Sequence, residues 1–390
     1  MSPATIAGRD PQSGRCLAVS VEDGVIVRIA ETESDTGLYL TPGFVDLQVN
    51  GRAGFDLNAE RISADTVADL TDAMLAGGVT CFAPTLITAP EAEICSRLKV
   101  IAEARKMHWR VAACVQFVHV EGPHISARDG YRGAHAAAFV RPPSIAEFDR
   151  WQQAAGGIVG MVTLSPHCSG SSDYIAALRR RGVHVAIGHT HASREEIRSA
   201  IDAGASLSTH LGNGIAGQIP RHDNPIWSQL ADDRLTATLI ADGHHLPLDV
   251  LKVILRAKGV ERCVLISDSV ALAGMPAGVY TTPVGGRVEL EANGRLRIFN
   301  SELLAGSTAS LAQSIGHLVT TAGISLADAI AMSTGNPGRF AGGRGRLALG
   351  ARADLVRFRW TGAVSIADVW LAGEQVCGPK QPQPHSPEPG

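Results

Sequence analysis

Apolar runs of strand length alternate with segments of helical periodicity along most of the chain. Near-continuous apolar strands that alternate with helices indicate a parallel sheet covered on both faces. Eight such units predict a (β/α)8 barrel, and a doubly wound open sheet is the alternative. From Leu38 onward, the eight apolar runs are LYLTPGFVDLQVN, GVTCFAPTL, RVAACVQFVHVEG, GIVGMVTLSPH, HVAIGHTH, SLSTHLGN, LTATLIADGHH and RCVLISDS.

The stretches between these runs have the apolar spacing of amphipathic helices. Ser193, followed by Glu195 and Glu196, has the pattern of a helix N-cap with acidic residues in the first turn. After the last run, SLADAIAMSTGNPGRF predicts a closing helix that ends at Asn336-Pro337. The helices predicted before it are ADTVADLTDAML, EAEICSRLKVIAEARKM, SDYIAALRRR, SREEIRSAIDAG and PLDVLKVILRAKG.

The two ends of the chain have a different pattern from the middle. Residues 15–40 contain short strand-like runs with a hairpin turn at Asp23-Gly24, and the segment that starts GRLALGARADLVRFRW is again strand-like. We expect both ends to combine into one small β-sandwich. The final segment is rich in proline and poor in apolar residues, so it is predicted to be disordered. The predicted boundaries are 1–40 and 341–378 for the two parts of the sandwich, 41–340 for the barrel and 379–390 for the tail.

Composition and charge narrow the classes of function. Hydrophobic residues make up 45% of the chain and charged residues 19%, which is typical of a soluble globular protein. No stretch approaches the ~20 apolar residues of a membrane span, so no membrane partner is expected. The net charge of −3, with scattered Lys and Arg, does not predict a nucleic-acid surface. The seven cysteines form no CxxC pair and the start lacks a secretory pattern, so we expect reduced thiols in a cytoplasmic protein.

Polar side chains that could carry chemistry fall where the apolar runs end. Barrel enzymes place their active sites at the carboxyl ends of the strands. This placement therefore favours the barrel over the open sheet and predicts one shared site. The residues are Gln48, Asn50, Glu121, His167, His189, His210, Asp242, His244, His245 and Asp268, with His191 two residues after His189.

Four of these residues have the clearest chemistry: Glu121, His189, His210 and Asp268. One carboxylate, two imidazoles and a water make a catalytic zinc-type shell, and a further carboxylate can accept and return a proton. His189 and His210 are 21 residues apart, about one β/α unit, so they should lie on neighbouring strands. The predicted cofactor is one divalent metal ion per chain, with zinc first and iron, cobalt or manganese also compatible.

The first barrel strand ends in DLQVNG, where Gln48 and Asn50 are two residues apart and share a face of the strand. Histidines at this spacing would form half of a metal site, whereas neutral amides are poor ligands for a zinc-like ion. We therefore expect a second, deeper metal position to be empty. The two amides are expected to form hydrogen bonds near the bound water and the substrate.

Several motifs together resemble the N-acetylglucosamine-6-phosphate deacetylases of the amidohydrolase superfamily. The resemblance covers roughly residues 15–377, and the motifs are PGFVDLQVNG, HVEGPHIS with RGAH, IGHTHAS, STHLGN, LIADGHH and LISDSVALAG. It implies a barrel with a small β-sandwich, usually as a homodimer. It also implies a metal-dependent hydrolase that removes acetate from the 2-acetamido group of an amino sugar phosphate.

The resemblance assigns roles to individual residues. Glu121, His189 and His210 become metal ligands, Asp268 the acid/base, and His135 a group that polarises the substrate carbonyl.

The resemblance also implies substrate contacts. Arg221 matches an arginine that reaches the phosphate, apparently from the neighbouring subunit, and Asn213 and Gly214 match positions whose backbone meets the phosphate. The implied substrate-binding residues are Gln48, Asn50, Asn213, Gly214, Arg221, His245, Leu304 and Gly306.

Some positions depart from the family pattern. His124, His167 and His191 are unusual for it, and they indicate either a changed substrate preference, a second weaker metal, or simply hydrogen-bonded side chains. Asp223 stands close to Arg221 and would repel or compete with a phosphate. The sequence therefore supports amide hydrolysis more strongly than a 6-phosphate on the substrate.

Three alternatives stay open. One is a deacetylase of a related N-acetylated sugar without the 6-phosphate, and another is a different mononuclear amidohydrolase. Amidohydrolases that act on cyclic imides, and deaminases, usually keep the histidine pair that Gln48 and Asn50 replace. The third is a non-catalytic barrel used as a scaffold, which would be expected to have lost part of the Glu/His/His/Asp set.

Overall fold

The computed structural model describes residues 4–282 and 285–378, so the predicted tail at 379–390 lies outside the described residues. The strands are β1 (Ala4–Arg9), β2 (Cys16–Glu22), β3 (Val25–Glu31), β4 (Tyr39–Pro42), β5 (Phe44–Val49), β6 (Gly51–Arg52), β7 (Phe55–Asp56), β8 (Val79–Ile87), β9 (Val118–Glu121), β10 (Val159–Leu164), β11 (His184–Ile187), β12 (Leu207–Ser208), β13 (Thr236–Leu239), β14 (Cys263–Leu265), β15 (Gly278–Thr282), β16 (Gly286–Leu290), β17 (Leu296–Ile298), β18 (Leu355–Trp360), β19 (Val364–Leu371) and β20 (Glu374–Cys377).

The helices surround the central strands. They are α1 (Ala64–Ala76), α2 (Glu91–Met107), α3 (Trp109–Cys114), α4 (Ile145–Ala155), α5 (Ser171–Arg180), α6 (Arg194–Asp202), α7 (Pro225–Ala231), α8 (Leu248–Lys258), α9 (Leu311–His317), α10 (Leu326–Ala331) and α11 (Gly335–Gly338). Short 3₁₀ turns occur at Ala137–Phe139 and Val260–Arg262, and a π-helical turn at Leu318–Ala322. Across residues 4–282 and 285–378, none of the helices combines the length and apolar character of a membrane span.

Eight strands form a parallel barrel, as the apolar runs predict. They pair in the order β5, β8, β9, β10, β11, β12, β13 and β14, and the circle closes where Val49 bridges Ser269, just after β14. Inside the barrel, Val45, Leu47, Met161 and other apolar side chains form a small core, while a larger core lies between the strands and the helices. Because the barrel closes on itself, the alternative of an open doubly wound sheet is wrong.

Both chain ends form one further sheet, as predicted. Its strand order is β20-β19-β18-β4-β1-β2-β3, with β4 between an N-terminal and a C-terminal strand. The sheet curls over, since Val25 at the start of β3 also bridges Arg352 just before β18, and it encloses a separate apolar core. The hairpin at Asp23-Gly24 is confirmed, and both residues have the positive φ (48° and 76°) that such turns require. The domain boundaries at residues 40 and 340 stay predictions.

The local features agree with the sequence in part. Ser193 caps α6 and exchanges hydrogen bonds with Glu196 in a capping box, as expected. The run RVAACVQFVHVEG is only half strand, because its first part forms α3 before β9 begins at Val118. The expectation that Asn336-Pro337 ends the closing helix is also wrong. α10 already ends at Ala331, and Pro337 lies inside α11, where a proline near the start of a helix loses no hydrogen bond.

A three-stranded sheet, β15–β17, is inserted between the last barrel strand and α9, and the pattern of apolar runs did not predict it. Its antiparallel strands are three to five residues long and have their own core of Leu272, Val288, Leu290, Leu296 and Ala305. Residues in and after this sheet reach the mouth of the barrel. The insertion therefore forms one wall of the site described next.

Candidate active site

Glu121, His189 and His210 come together at the carboxyl end of the barrel. Glu121 is the last residue of β9, and the two histidines follow β11 and β12 by two residues each. Both His189 and His210 have a positive φ (47° and 29°), so the backbone turns sharply after each strand. Such φ values are strained for residues other than glycine and concentrate at functional sites.

The three side chains fit a divalent metal ion. Glu121 Oε1 lies 3.1 Å from His210 Nε2 and 3.3 Å from His189 Nε2, and the two Nε2 atoms are 3.1 Å apart. Ligand atoms about 2.1 Å from a tetrahedral ion lie about 3.4 Å from one another. In the part of the chain that the structure describes, this is the one group of three such ligands within 4.8 Å. The residues that the sequence singled out are thus brought together with metal-like spacing.

The tautomer of His189 suits a ligand. Its Nδ1 lies 2.9 Å from the carbonyl oxygen of Tyr131, which can only accept, so Nδ1–H donates and Nε2 keeps a free lone pair. A second partner that fixes the outer nitrogen in this way is typical of metal-binding histidines.

Burial and the hydrogen bonds between the carboxylate and the imidazoles determine the pKa values of Glu121 and His210. Burial alone raises the pKa of Glu121, but the hydrogen bonds to His189 and His210 outweigh it and hold the pKa well below its usual range. Burial lowers the pKa of His210, and the neighbouring Glu121 more than reverses this. Glu121 is therefore an anionic carboxylate that faces two imidazoles.

Asp268 lies beside this cluster and is held by the two amides of the first strand. Gln48 Nε2 donates to Asp268 Oδ1 at 3.0 Å, and Asn50 Nδ2 donates to the same oxygen at 2.8 Å. The expectation that the two amides share a face is confirmed. Burial and then the charge of Glu121 raise the pKa of Asp268 to about 6. Such a carboxyl group can both accept and return a proton near neutral pH.

Asp46 also contributes to this arrangement and was not predicted. Its Oδ1 accepts the N–H of Ser267 at 3.1 Å, and one residue later the Asp268 N–H donates to the Gln48 carbonyl at 3.0 Å. Asp46 is fully buried, and burial raises its pKa to about 7. Strand β5 thus fixes the segment that carries Asp268 through a backbone carbonyl and through the side chain of Asp46.

His119 is a second buried group that was not predicted. It lies two residues before Glu121, on the same face of β9, and its Nε2 is 2.8 Å from Thr163 Oγ1. Burial lowers its pKa to about 4, so it is a neutral imidazole in a polar layer below the ligands. The alternation of apolar and polar residues in VHVE predicts that the His119 side chain points to the same face as Glu121. Nothing in the sequence indicates that its hydrogen-bond partner is Thr163.

A cavity of about 310 Å³ opens above these groups, which is within the usual range of small-molecule sites. Asp56, Asn58, Leu296 and Leu303, which were not predicted, also line it. Gln48 is not among the lining residues, although its amide bonds the same Asp268 oxygen as the amide of Asn50. The predicted residues that line the cavity are Asn50, Glu121, His135, His189, His210, Asn213, Gly214, His245, Asp268, Leu304 and Gly306.

Two further histidines face this cavity. His135 Nδ1 lies 2.8 Å from Thr88 Oγ1 and its Nε2 lies 3.9 Å from Glu121 Oε2. Burial and then His189 lower the pKa of His135 to about 3, so the ring is neutral.

His245 is oriented by a carboxylate. Its Nδ1 lies 2.7 Å from Asp242 Oδ2, while Asp242 Oδ1 accepts the N–H groups of His244 and His245. Burial alone would raise the pKa of Asp242, but these bonds, with the one to the imidazole first, lower it strongly. His245 therefore presents the other edge of its ring to the cavity.

Arg221 is not part of the cavity of its own chain. It lies exposed on the loop before α7, where its carbonyl accepts the indole N–H of Trp227 at 3.0 Å. Among the lining residues that the structure describes there is no Lys or Arg. Arg221 therefore makes no contribution to the cavity lining of its own chain.

The three unusual histidines form ordinary contacts outside the ligand cluster. His124 Nδ1–H donates to the Arg141 carbonyl at 3.2 Å, and its ring stacks on Trp151 with centroids 5.5 Å apart. His167 and His191 pack against each other at 4.3 Å between ring centroids. This agrees with the interpretation of hydrogen-bonded side chains.

A closed (β/α)8 barrel with a Glu/His/His cluster and a neighbouring aspartate at its carboxyl end defines the class of metal-dependent barrel hydrolases. The sequence matches the amidohydrolase family over residues 39–376. The chain belongs to the amidohydrolase family, which is metal-dependent.

Within this family, the chain is similar to several deacetylases of amino sugar phosphates. The N-acetylgalactosamine-6-phosphate deacetylase of Escherichia coli O157:H7 is 33% identical over 363 residues, which cover 91% of this chain and 93% of that protein. The N-acetylglucosamine-6-phosphate deacetylase of Bos taurus is 32% identical over 379 residues, with 92% and 88% covered. The crystal structure of N-acetyl-D-glucosamine-6-phosphate deacetylase from Mycobacterium smegmatis superimposes with a TM-score of 0.85 at 30% identity, covering 96% of this chain and 100% of that one.

Proposed function

We propose that the protein removes acetate from the 2-acetamido group of N-acetylglucosamine-6-phosphate. The observation that carries the proposal is the cluster of Glu121, His189 and His210 beside Asp268 on the floor of the cavity. The names of the curated relatives and of the similar structure support the substrate.

A second candidate substrate is N-acetylgalactosamine-6-phosphate, because the relative with 33% identity is a deacetylase of that sugar. A third is an N-acetylated sugar without the phosphate, because the lining of the cavity offers no Lys or Arg in the described chain.

Hydrolysis of an amide needs an activated water, a stabilised oxyanion and a protonated leaving amine. A divalent metal held by Glu121, His189 and His210 would make water more acidic and polarise the acetyl carbonyl. Asp268 takes a proton from the attacking water and then gives it to the departing amine, for which its raised pKa is suited. Gln48 and Asn50 hold the carboxylate in place during both transfers.

His135 completes the site. As a neutral imidazole bound to Thr88 through Nδ1, it can donate Nε2–H to the carbonyl oxygen on which negative charge develops. A donor of this kind contributes roughly 3–4 kcal/mol to stabilisation of the transition state.

We further propose one ion per chain, zinc being the first candidate, in a cytoplasmic homodimer. The amides at Gln48 and Asn50 are committed to Asp268, which supports a single ion. All seven cysteines are free, which suits a reducing compartment. The position of Arg221 outside its own cavity supports a dimer in which the arginine serves the other subunit.

Acetate release from a panel of sugars tests the substrate. We expect the highest kcat/KM with N-acetylglucosamine-6-phosphate, a lower value with N-acetylgalactosamine-6-phosphate, and much lower values with both sugars lacking phosphate. A preference for the galacto sugar would select the second candidate, and equal rates without phosphate would select the third. Acetate from none of the four would contradict the deacetylase proposal.

Substitution of Arg221 by alanine tests the phosphate contact. A charged hydrogen bond contributes about 1.5–3 kcal/mol, so KM for the phosphorylated substrate should rise about tenfold or more while kcat changes little. The unphosphorylated sugar should be hydrolysed at an unchanged rate. Arg180→Ala, which changes an exposed arginine on α5, serves as the control. An unchanged KM in Arg221→Ala would show that the phosphate is bound by other groups.

A further inference from the structure

The loop between β9 and the 3₁₀ turn at Ala137–Phe139 passes directly over the ligand His189. It contacts His189 at two points: the Ser126 N–H donates to the His189 carbonyl at 2.9 Å, and the Tyr131 carbonyl accepts His189 Nδ1–H at 2.9 Å. The loop therefore holds both the backbone and the imidazole of this residue.

Tyr131 is the critical point of the loop, because its carbonyl decides which nitrogen of His189 carries the proton. If this carbonyl moves away, the proton can shift to Nε2, and a protonated nitrogen does not bind a metal. What keeps Tyr131 in place thus affects the metal ligand, although it touches neither metal nor substrate.

His191 contacts this loop at two points. Its Nδ1 and Ser126 Oγ share a hydrogen bond of 2.6 Å, and its ring lies 5.8 Å from the Tyr131 ring between centroids. Ser126 is fully buried, and its hydroxyl also accepts the Arg128 N–H at 3.2 Å, within the same loop. His191 also packs against His167, whose Nδ1 is 2.6 Å from the buried Ser165 hydroxyl.

We propose that His191 and Ser126 are positioning residues for His189, which they orient through the loop that carries the Tyr131 carbonyl. The proposal rests on the role of His189 as a metal ligand in the proposed function. It also explains why a histidine stands two residues after the ligand: the chain turns at His189, and His191 returns to anchor the loop that covers it.

The test measures the affinity of the protein for Zn²⁺ by competition with a chelator of known affinity. His191→Phe keeps an aromatic ring against Tyr131 and His167 but loses the hydrogen bond, and Ser126→Ala removes the same bond from the other side. Each should lower the zinc affinity by about tenfold, the lower end of the effect of losing a group bonded directly to a metal ligand, because the Tyr131 carbonyl itself is kept. The double variant should bind no more weakly than Ser126→Ala alone, because Ser126→Ala already removes the bond that His191→Phe breaks, together with the bond from the Arg128 N–H. At saturating zinc, KM should be unchanged.

His184→Phe is the matched control. His184 is a partly buried histidine at the other end of β11, with its ring against Phe340 at 5.3 Å, and it does not contact the loop. A zinc affinity of His191→Phe within twofold of the starting protein would overturn the proposal, as would an equal loss in His184→Phe. His189→Ala distinguishes a failure of the positioning role from a failure of the ligand assignment. If it retains full zinc affinity, the ligand assignment fails, and if it alone loses affinity, only the positioning role fails.

Discussion

Replacement of Asp268 by asparagine is expected to lower kcat by about 10²- to 10⁴-fold, the usual contribution of a general acid–base group. The asparagine oxygen can still accept both hydrogen bonds from Gln48 and Asn50, so the side chain should keep its position. The amide cannot accept the proton of the attacking water. Measurement of kcat with N-acetylglucosamine-6-phosphate, together with the zinc content of the purified variant, checks both parts.

The matched control is Asp249→Asn, which changes an exposed carboxylate at the start of α8 and should leave kcat unchanged. Zinc content should be the same in Asp268→Asn as in the starting protein. Full activity of Asp268→Asn would refute the role of Asp268 as acid/base. Loss of zinc from this variant would mean that Asp268 acts chiefly as a ligand.

Removal of the metal is expected to reduce acetate release to the uncatalysed background, and one equivalent of zinc per chain should restore it. Glu121→Gln should lower zinc affinity strongly, because the neutral amide replaces the anionic ligand between His189 and His210. Elemental analysis and titration of the metal-free protein measure the stoichiometry.

Introducing histidines in place of the two amides tests why only one ion per chain is expected. Gln48→His combined with Asn50→His would place two imidazoles beside Asp268, and binding should then rise towards two ions per chain. Two tightly bound ions in the unaltered protein would contradict the role assigned to the two amides. Activity that survives complete metal removal would contradict the metal-dependent mechanism itself.

Much of the site could be predicted because barrel strands converge. Once eight apolar runs define a barrel, the polar residues at their ends must meet, and Glu121, His189 and His210 do so. The pairing of Gln48 with Asn50 follows from the two-residue period of a strand. Both predictions follow from the order of the strands and the alternation of side chains, without any interatomic distance.

Other features depend on packing that a strand pattern does not encode. Asp46 and His119 stand inside apolar runs. Closure of the barrel brings Asp46 to Ser267, and the register between the neighbouring strands β9 and β10 brings His119 to Thr163. The sheet β15–β17 escaped prediction because strands of three to five residues leave too short a pattern to recognise. Arg221 was predicted to reach the phosphate apparently from the neighbouring subunit, and its position outside the cavity of its own chain is compatible with that prediction without testing it.

The sheet built from both chain ends has a consequence for synthesis of the protein on the ribosome. β4 pairs with β18, which is translated only after the whole barrel, so one edge of β4 has no partner until the chain is nearly complete. Unpaired strand edges promote association between nascent chains. A stop codon placed after the barrel would thus leave the barrel strands intact and still yield a product that aggregates.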